Sequence, residues 1–186
     1  MNKTRISKLM CFYLRHNPDA GNLTMDKHGW VDIEELVNSI NNTKSYVVDK
    51  ELIYEIVKED NKQRYSLNED KTKIRANQGH SIPVDVDLQT KIPEMDYLYH
   101  GTATKYESSI NEQGLIPKKR LYVHLSDNIS LAKEVGLRHG DVIIYQVNCK
   151  EMIKDGYEFK YSENGIWLIN EVPVKYIKKL ENPPCF

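Results

Sequence analysis

The chain has 186 residues, 40% of them hydrophobic and 28% charged, which suits a soluble globular protein of one or two compact domains. Its net charge of −1 excludes little, because a nucleic-acid binder needs a local basic patch and not a basic total. Cys11, Cys149 and Cys185 are odd in number and lack CxxC or Cys/His ligand spacing, which argues against a disulfide framework and for a reducing cytoplasm.

The first residues, MNKTRISKLM, contain no long apolar run, so neither a signal peptide nor a membrane span is expected. Ile6, Leu9, Met10, Tyr13 and Leu14 then recur with helical spacing and predict an amphipathic helix with Cys11 as a buried thiol. It must stop near His16 or Asn17, because Pro18 disfavours helical geometry in the residue before it. Ile33, Leu36, Val37 and Ile40 predict a second helix. Asp49 can cap a third, with Leu52, Ile53, Ile56 and Val57 facing inward. RYSLN and KTKIRA read as two strands around the turn NEDK. Three helices followed by a hairpin is a winged-helix order, compatible with nucleic-acid binding or with a plain helical interaction module.

Residues 81–95 are polar and without helical period, which marks a linker between a lobe at 1–80 and a lobe at 96–186. In the second lobe YLYHG, LYVHLS, DVIIYQV, YEFKY and IWLIN look like strands. Helices are expected at about 105–113 and 129–136. Thr104 and Glu107 have capping-box spacing for the first, and Ser126, Asp127 and Asn128 offer caps for the second. The fold class is therefore α+β. No GxGxxG follows a strand, and GxxxxGK[ST], GxSxG and HExxH do not occur, which removes most common enzyme classes.

Four stretches combine reactive side chains with turn residues: LRHNP (14–18), IRANQGHS (74–81), LYHGT (98–102) with VHLS (123–126), and GLRHG (136–140). Each has an ordinary alternative. Arg15 and His16 could simply complement a helix C-terminus, and Arg75 could be a solvated strand-edge residue. His100 could be a hydrogen-bonded core histidine, Arg138 an exposed loop residue, and His139 a packing residue. Only six of the 26 basic residues are arginine, so each is informative in a chain that prefers lysine.

Taken together, these stretches resemble the Tpt1/KptA family of RNA 2′-phosphotransferases. The likeness runs along nearly the whole chain, from ISKLMCFYLRHNP through DKHGWVDIEELV, RYSLNEDKTKIRANQGHS, LYHGT and GLIPKKRLYVHLS to AKEVGLRHG and NGIWLINEVPVKYI. The resemblance implies an N-terminal winged-helix lobe facing RNA and a C-terminal ADP-ribosyltransferase-like lobe with short strands that binds NAD. It implies removal of an internal RNA 2′-phosphate, as in tRNA splicing. The phosphate attacks the nicotinamide ribose and nicotinamide leaves. The ribose 2″-hydroxyl then attacks phosphorus, releasing ADP-ribose 1″,2″-cyclic phosphate and RNA with a 2′-OH.

By the same resemblance, Arg15, His16, Arg75 and Arg138 form the catalytic set, while His100, Gly101, Thr102, His124 and Ser126 match the NAD-lobe motifs. Leu121 and Tyr122 stand where relatives often carry more polar residues. A cleft between lobes would gather the three arginines on one phosphate. The chemistry suits these residue types: arginine forks align and neutralise phosphate, and histidine can move the proton of an attacking hydroxyl. No metal ligand set appears in the motifs, no protein partner is indicated, and the resemblance implies NAD as a consumed co-substrate. Two other readings stay open: ADP-ribosyl transfer to a nucleic-acid phosphate without the second step, and a non-enzymatic winged-helix regulator.

Overall fold

A computed structural model describes residues 3–180, a mixed α+β chain that divides into two compact units, one ending at Asp87 and one starting at Leu88. Cys185 lies outside the described residues. Among these residues no helix is long and apolar enough to cross a membrane.

The first unit runs α1 (Lys3–Arg15), β1 (Val31–Asp32), α2 (Ile33–Asn42), α3 (Lys50–Glu59), β2 (Tyr65–Leu67) and β3 (Lys73–Ala76). Ile6, Met10, Tyr13 and Leu14 of α1 are buried, as their spacing predicts. They pack with Leu36, Ile40, Ile53 and Ile74 in one core. Local capping sets the helix starts. The Asp32 carboxylate accepts from the backbone N–H groups of Glu34 (2.7 Å) and Glu35 (3.2 Å), and that of Asp49 accepts from Leu52 (2.9 Å). β2 and β3 form the expected hairpin, with Tyr65 opposite Ala76 and Leu67 opposite Ile74. The two-residue β1 adds to the other side of β3, so the sheet order is β1-β3-β2. This corrects the edge-strand alternative for Arg75: β3 is central, and Arg75 is only 6% exposed. Cys11 is half-buried, with Sγ 3.0 Å from the Tyr65 hydroxyl.

The second unit contains β4 (Gln89–Thr90), β5 (Tyr97–Ala103), α4 (Glu107–Gln113), β6 (Val123–Leu125), α5 (Ile129–Leu137), β7 (Val142–Asn148), α6 (Cys149–Lys154), β8 (Lys160–Tyr161), β9 (Trp167–Ile169) and β10 (Ile177–Lys179). Two antiparallel sheets, β10-β7-β5 and β4-β8-β9-β6, are joined by a bridge between Tyr99 and Ser126. Leu98, Tyr145, Val147, Phe159 and Trp167 lie in the core of this unit.

Three local expectations change. Thr104 does not cap α4: its N–H donates to the Asp141 carbonyl (2.8 Å), it opens a short 3-10 turn, and α4 begins at Glu107 without a side-chain cap. Asn128 alone of its three candidates caps α5, accepting from Leu131 N–H at 3.0 Å. Arg138 is not in a free loop, because α5 runs through the expected 136 to Leu137 and Arg138 is its C-cap.

Candidate active site

In the first unit the end of α1, strand β3 and the segment after it converge. Arg15 is the last helical residue, and the carbonyl of Phe12 accepts from both His16 and Asn17 N–H at 3.0 Å, closing the helix before Pro18. The Arg15 carbonyl accepts from Ser81 N–H at 3.0 Å, and His16 Nδ1 and the Ser81 hydroxyl share a hydrogen bond of 2.9 Å. Gly79 has φ +87°, and a Cβ there would sit 3.5 Å from Arg15 Nη1. The guanidinium of Arg15 thus lies along the Gly79 backbone. Its Nε and Nη2 are buried and have no hydrogen-bond partner among the described residues.

Arg75 is held differently. Its Nη1 donates to Asp87 Oδ2 at 3.1 Å, and its guanidinium carbon stacks 4.5 Å from the Trp30 ring centroid. The other Asp87 oxygen is 3.1 Å from His28 Nδ1, which is also 2.9 Å from the Asp85 carbonyl. His80 is 3% exposed, and its Nε2 is buried without a partner among the described residues. Burial, reinforced by the positive charges of Arg15, His16 and Arg75, pushes its pKa down to about 4. Arg15, His16 and Arg75 therefore share one electropositive neighbourhood centred on a neutral histidine.

Arg138 belongs to the second unit. Its side chain is 47% exposed and paired with Glu134 one turn earlier on α5. His100 is half-buried on β5; its Nδ1–H donates to the His124 carbonyl (3.0 Å), and burial lowers its pKa. His124 Nδ1–H donates in turn to the Tyr122 carbonyl at 3.0 Å. Ser126 is spent on its own turn, where its hydroxyl donates to the Asn128 carbonyl and accepts from Asn128 N–H, each at 3.0 Å. Thr102 is buried and paired with Ile143 in the sheet.

Gly101 has a packing role that its motif conceals. A Cβ there would lie 1.7 Å from the Ala132 carbonyl oxygen, and one at Gly136 would lie 2.9 Å from Thr102 N. The two glycines let α5 rest its backbone directly on β5.

The RNA 2′-phosphotransferase, Tpt1 / KptA family model matches residues 1–171. The chain belongs to this family. It is 44% identical over 178 residues to a probable RNA 2′-phosphotransferase of Fusobacterium nucleatum, covering 95% of this chain and 98% of that one. It is 43% identical to one of Acaryochloris marina (95% and 96% covered) and 44% identical to one of Flavobacterium johnsoniae (93% and 94%). Membership in the RNA 2′-phosphotransferase family supports a transferase activity of that general kind.

For this phosphotransferase-family chain the motif reading overlooked five residues that shape the arginine site: His28, Trp30, His80, Ser81 and Asp87. His80 and Ser81 sit inside a singled-out stretch, so glycine-flanked polar residues were a usable signal. Trp30 and Asp87 lie 45 and 12 positions from Arg75, and nothing local marks them as its partners.

Proposed function

We propose that this chain removes an internal 2′-phosphate from RNA, using NAD as a consumed co-substrate. The carrying observation is Arg15. Nε and Nη2 form one flat, bidentate edge of a guanidinium, and both are buried and unpaired among the described residues. A buried donor left unpaired costs on the order of 1–3 kcal/mol, so two on one edge fit a site that an oxyanion completes. Arg75, fixed by Asp87 and Trp30, supplies a second guanidinium whose position needs no reorganisation on binding.

His16 stands beside Arg15 with Nδ1 hydrogen-bonded to the Ser81 hydroxyl; in the tautomer that carries its proton on Nδ1, Nε2 is the base for the attacking hydroxyl. Arg138, exposed on its helix end, is the fourth member of the catalytic set. The winged-helix reading of the first unit draws support from its order of three helices and hairpin, with the sheet order β1-β3-β2. The paired antiparallel sheets of the second unit support an ADP-ribosyltransferase-like fold.

The second unit offers donor chemistry suited to NAD. With Nδ1–H committed to a carbonyl and its charged form disfavoured, His100 is a neutral ring whose Nε2 accepts, which suits a ribose hydroxyl. The His124 carbonyl and the Ser126 turn hold that histidine and its neighbours in register, and Gly101 brings α5 against the same strand. NAD supplies an electrophilic ribose carbon to the 2′-phosphate with loss of nicotinamide, and then the 2″-hydroxyl that releases the RNA 2′-OH and ADP-ribose 1″,2″-cyclic phosphate.

The test is incubation with an oligoribonucleotide carrying one internal 2′-phosphate, with and without NAD, following RNA mass and nicotinamide. NAD-dependent loss of the phosphate is expected. A stable ADP-ribosyl adduct would instead support transfer without the second step, and no change in either would leave a binding module.

A further inference from the structure

The outer face of α1 carries more cationic and aromatic residues than the chemistry above uses. At about 100° per residue, Arg5, Lys8, Phe12, Arg15 and His16 fall on one side of the helix, opposite the buried Ile6, Met10, Tyr13 and Leu14. Arg5, Lys8, Phe12 and His16 are exposed, and Phe12 keeps 44% of its surface in solvent. The helix has no acidic residue in 13, although Asp and Glu make up 27 of the chain's 186. Arg5 and Lys8 also sit in its N-terminal half, where the helix dipole disfavours cations. An exposed helix face with cations and no carboxylate of its own is complementary to an anionic ligand.

We propose that this face is a track for the RNA strand that flanks the reacting phosphate, with Arg5 and Lys8 on backbone phosphates and Phe12 against a base. The assignment rests on the proposed function, because the stripe ends at Arg15 and His16. From Arg5 to His16 the helix rises on the order of 16 Å, enough to follow a few nucleotides. A lone aromatic between cations suits single-stranded RNA, whose bases stack on aromatic faces while its phosphates meet the charges. A membrane is a poorer match: an interfacial helix needs a broad apolar face toward lipid, and here that face is buried in the core.

The experiment compares the full-length protein with an Arg5→Ala/Lys8→Ala variant and with Phe12→Ala. Binding is measured by fluorescence anisotropy at several salt concentrations. The probes are a dodecaribonucleotide with one internal 2′-phosphate and a dinucleotide carrying the same group. The double variant should bind the long probe about 10-fold more weakly and the dinucleotide unchanged. Its salt slope should fall by about 0.7 for each phosphate that is no longer neutralised. Phe12→Ala should weaken only the long probe, with little change in slope.

Equal losses on both probes, or none on the long one, would overturn the track. So would tighter binding of the unmodified protein to phosphatidylserine vesicles than to the long RNA. Failure of the proposed function is read separately, as an unmodified protein that cannot release phosphate from the dinucleotide with NAD.

Discussion

His16 and Ser81 are 65 positions apart in sequence, yet His16 Nδ1 and the Ser81 hydroxyl lie 2.9 Å apart. Ser81 also donates its N–H to the carbonyl of Arg15, the residue before that histidine. One serine therefore ties the end of α1 to the segment that follows β3, and fixes the position of the imidazole.

Ser81→Ala is expected to lower the rate of phosphate removal about 5-fold, the equivalent of roughly 1 kcal/mol for one hydrogen bond. Affinity for the RNA should hold. A kcat and KM pair measured on a 2′-phosphorylated oligonucleotide checks this, and an unchanged kcat would detach Ser81 from His16 function.

Arg75→Lys keeps the charge but loses the flat fork that meets Asp87 and stacks on Trp30. Activity should fall by on the order of 100-fold, with stability lower by about 1 kcal/mol from weaker stacking and packing. Steady-state rates beside a urea unfolding curve separate the two effects. Near-normal turnover in the lysine variant would mean that a point charge suffices.

Arg138→Ala should behave in the opposite sense. Its pair with Glu134 is exposed and contributes little, so the melting temperature should move by less than about 1 °C. Turnover should nevertheless fall by about 100-fold or more if this guanidinium serves the phosphate. A normal rate would remove Arg138 from the catalytic set.

Stability should depend on pH through His80. Its folded pKa, about 4, lies below the ordinary histidine value of about 6.5, so the folded chain resists a proton that the unfolded chain accepts. The resulting stabilisation is complete above pH 6.5 and is lost as pH falls toward 4, on the order of 3 kcal/mol across the window. Chemical denaturation at stepped pH should show this slope in the unmodified protein and a flatter one in His80→Gln. Identical slopes would assign the effect to other groups.

Gly101→Ala tests packing apart from co-substrate binding. The added Cβ would collide with the Ala132 backbone oxygen, which is not the end of a flexible side chain, so α5 must move off β5. A loss of about 3 kcal/mol or more is expected, visible as a lower melting temperature with no NAD present. A full-stability variant would show that the helix can shift without cost.

Periodicity and capping residues were sufficient for most of the elements. The 6, 10, 13, 14 spacing of α1, the Asp32 and Asp49 caps and the β2–β3 hairpin all depend on neighbours within a few positions, where backbone geometry dictates the pattern. Motif identity was equally readable, because family membership is written in residue types and spacing. Non-local pairing was not. A two-residue strand such as β1 has too few positions to show alternation, yet it turns β3 from an edge into the centre and buries Arg75. The extent of α5 to about Gly136 was readable, but that Gly136 and Gly101 bring its backbone onto β5 was not, because a glycine's local propensity says nothing of the surface it will meet. Arg15, His16 and Arg75 could be picked out as residue types from the chain alone. That Arg15 keeps a buried edge unpaired, that Asp87 and Trp30 fix Arg75, and that His80 is neutral between them are decided by tertiary structure, because desolvation and pairing depend on which distant residues the fold places against each other.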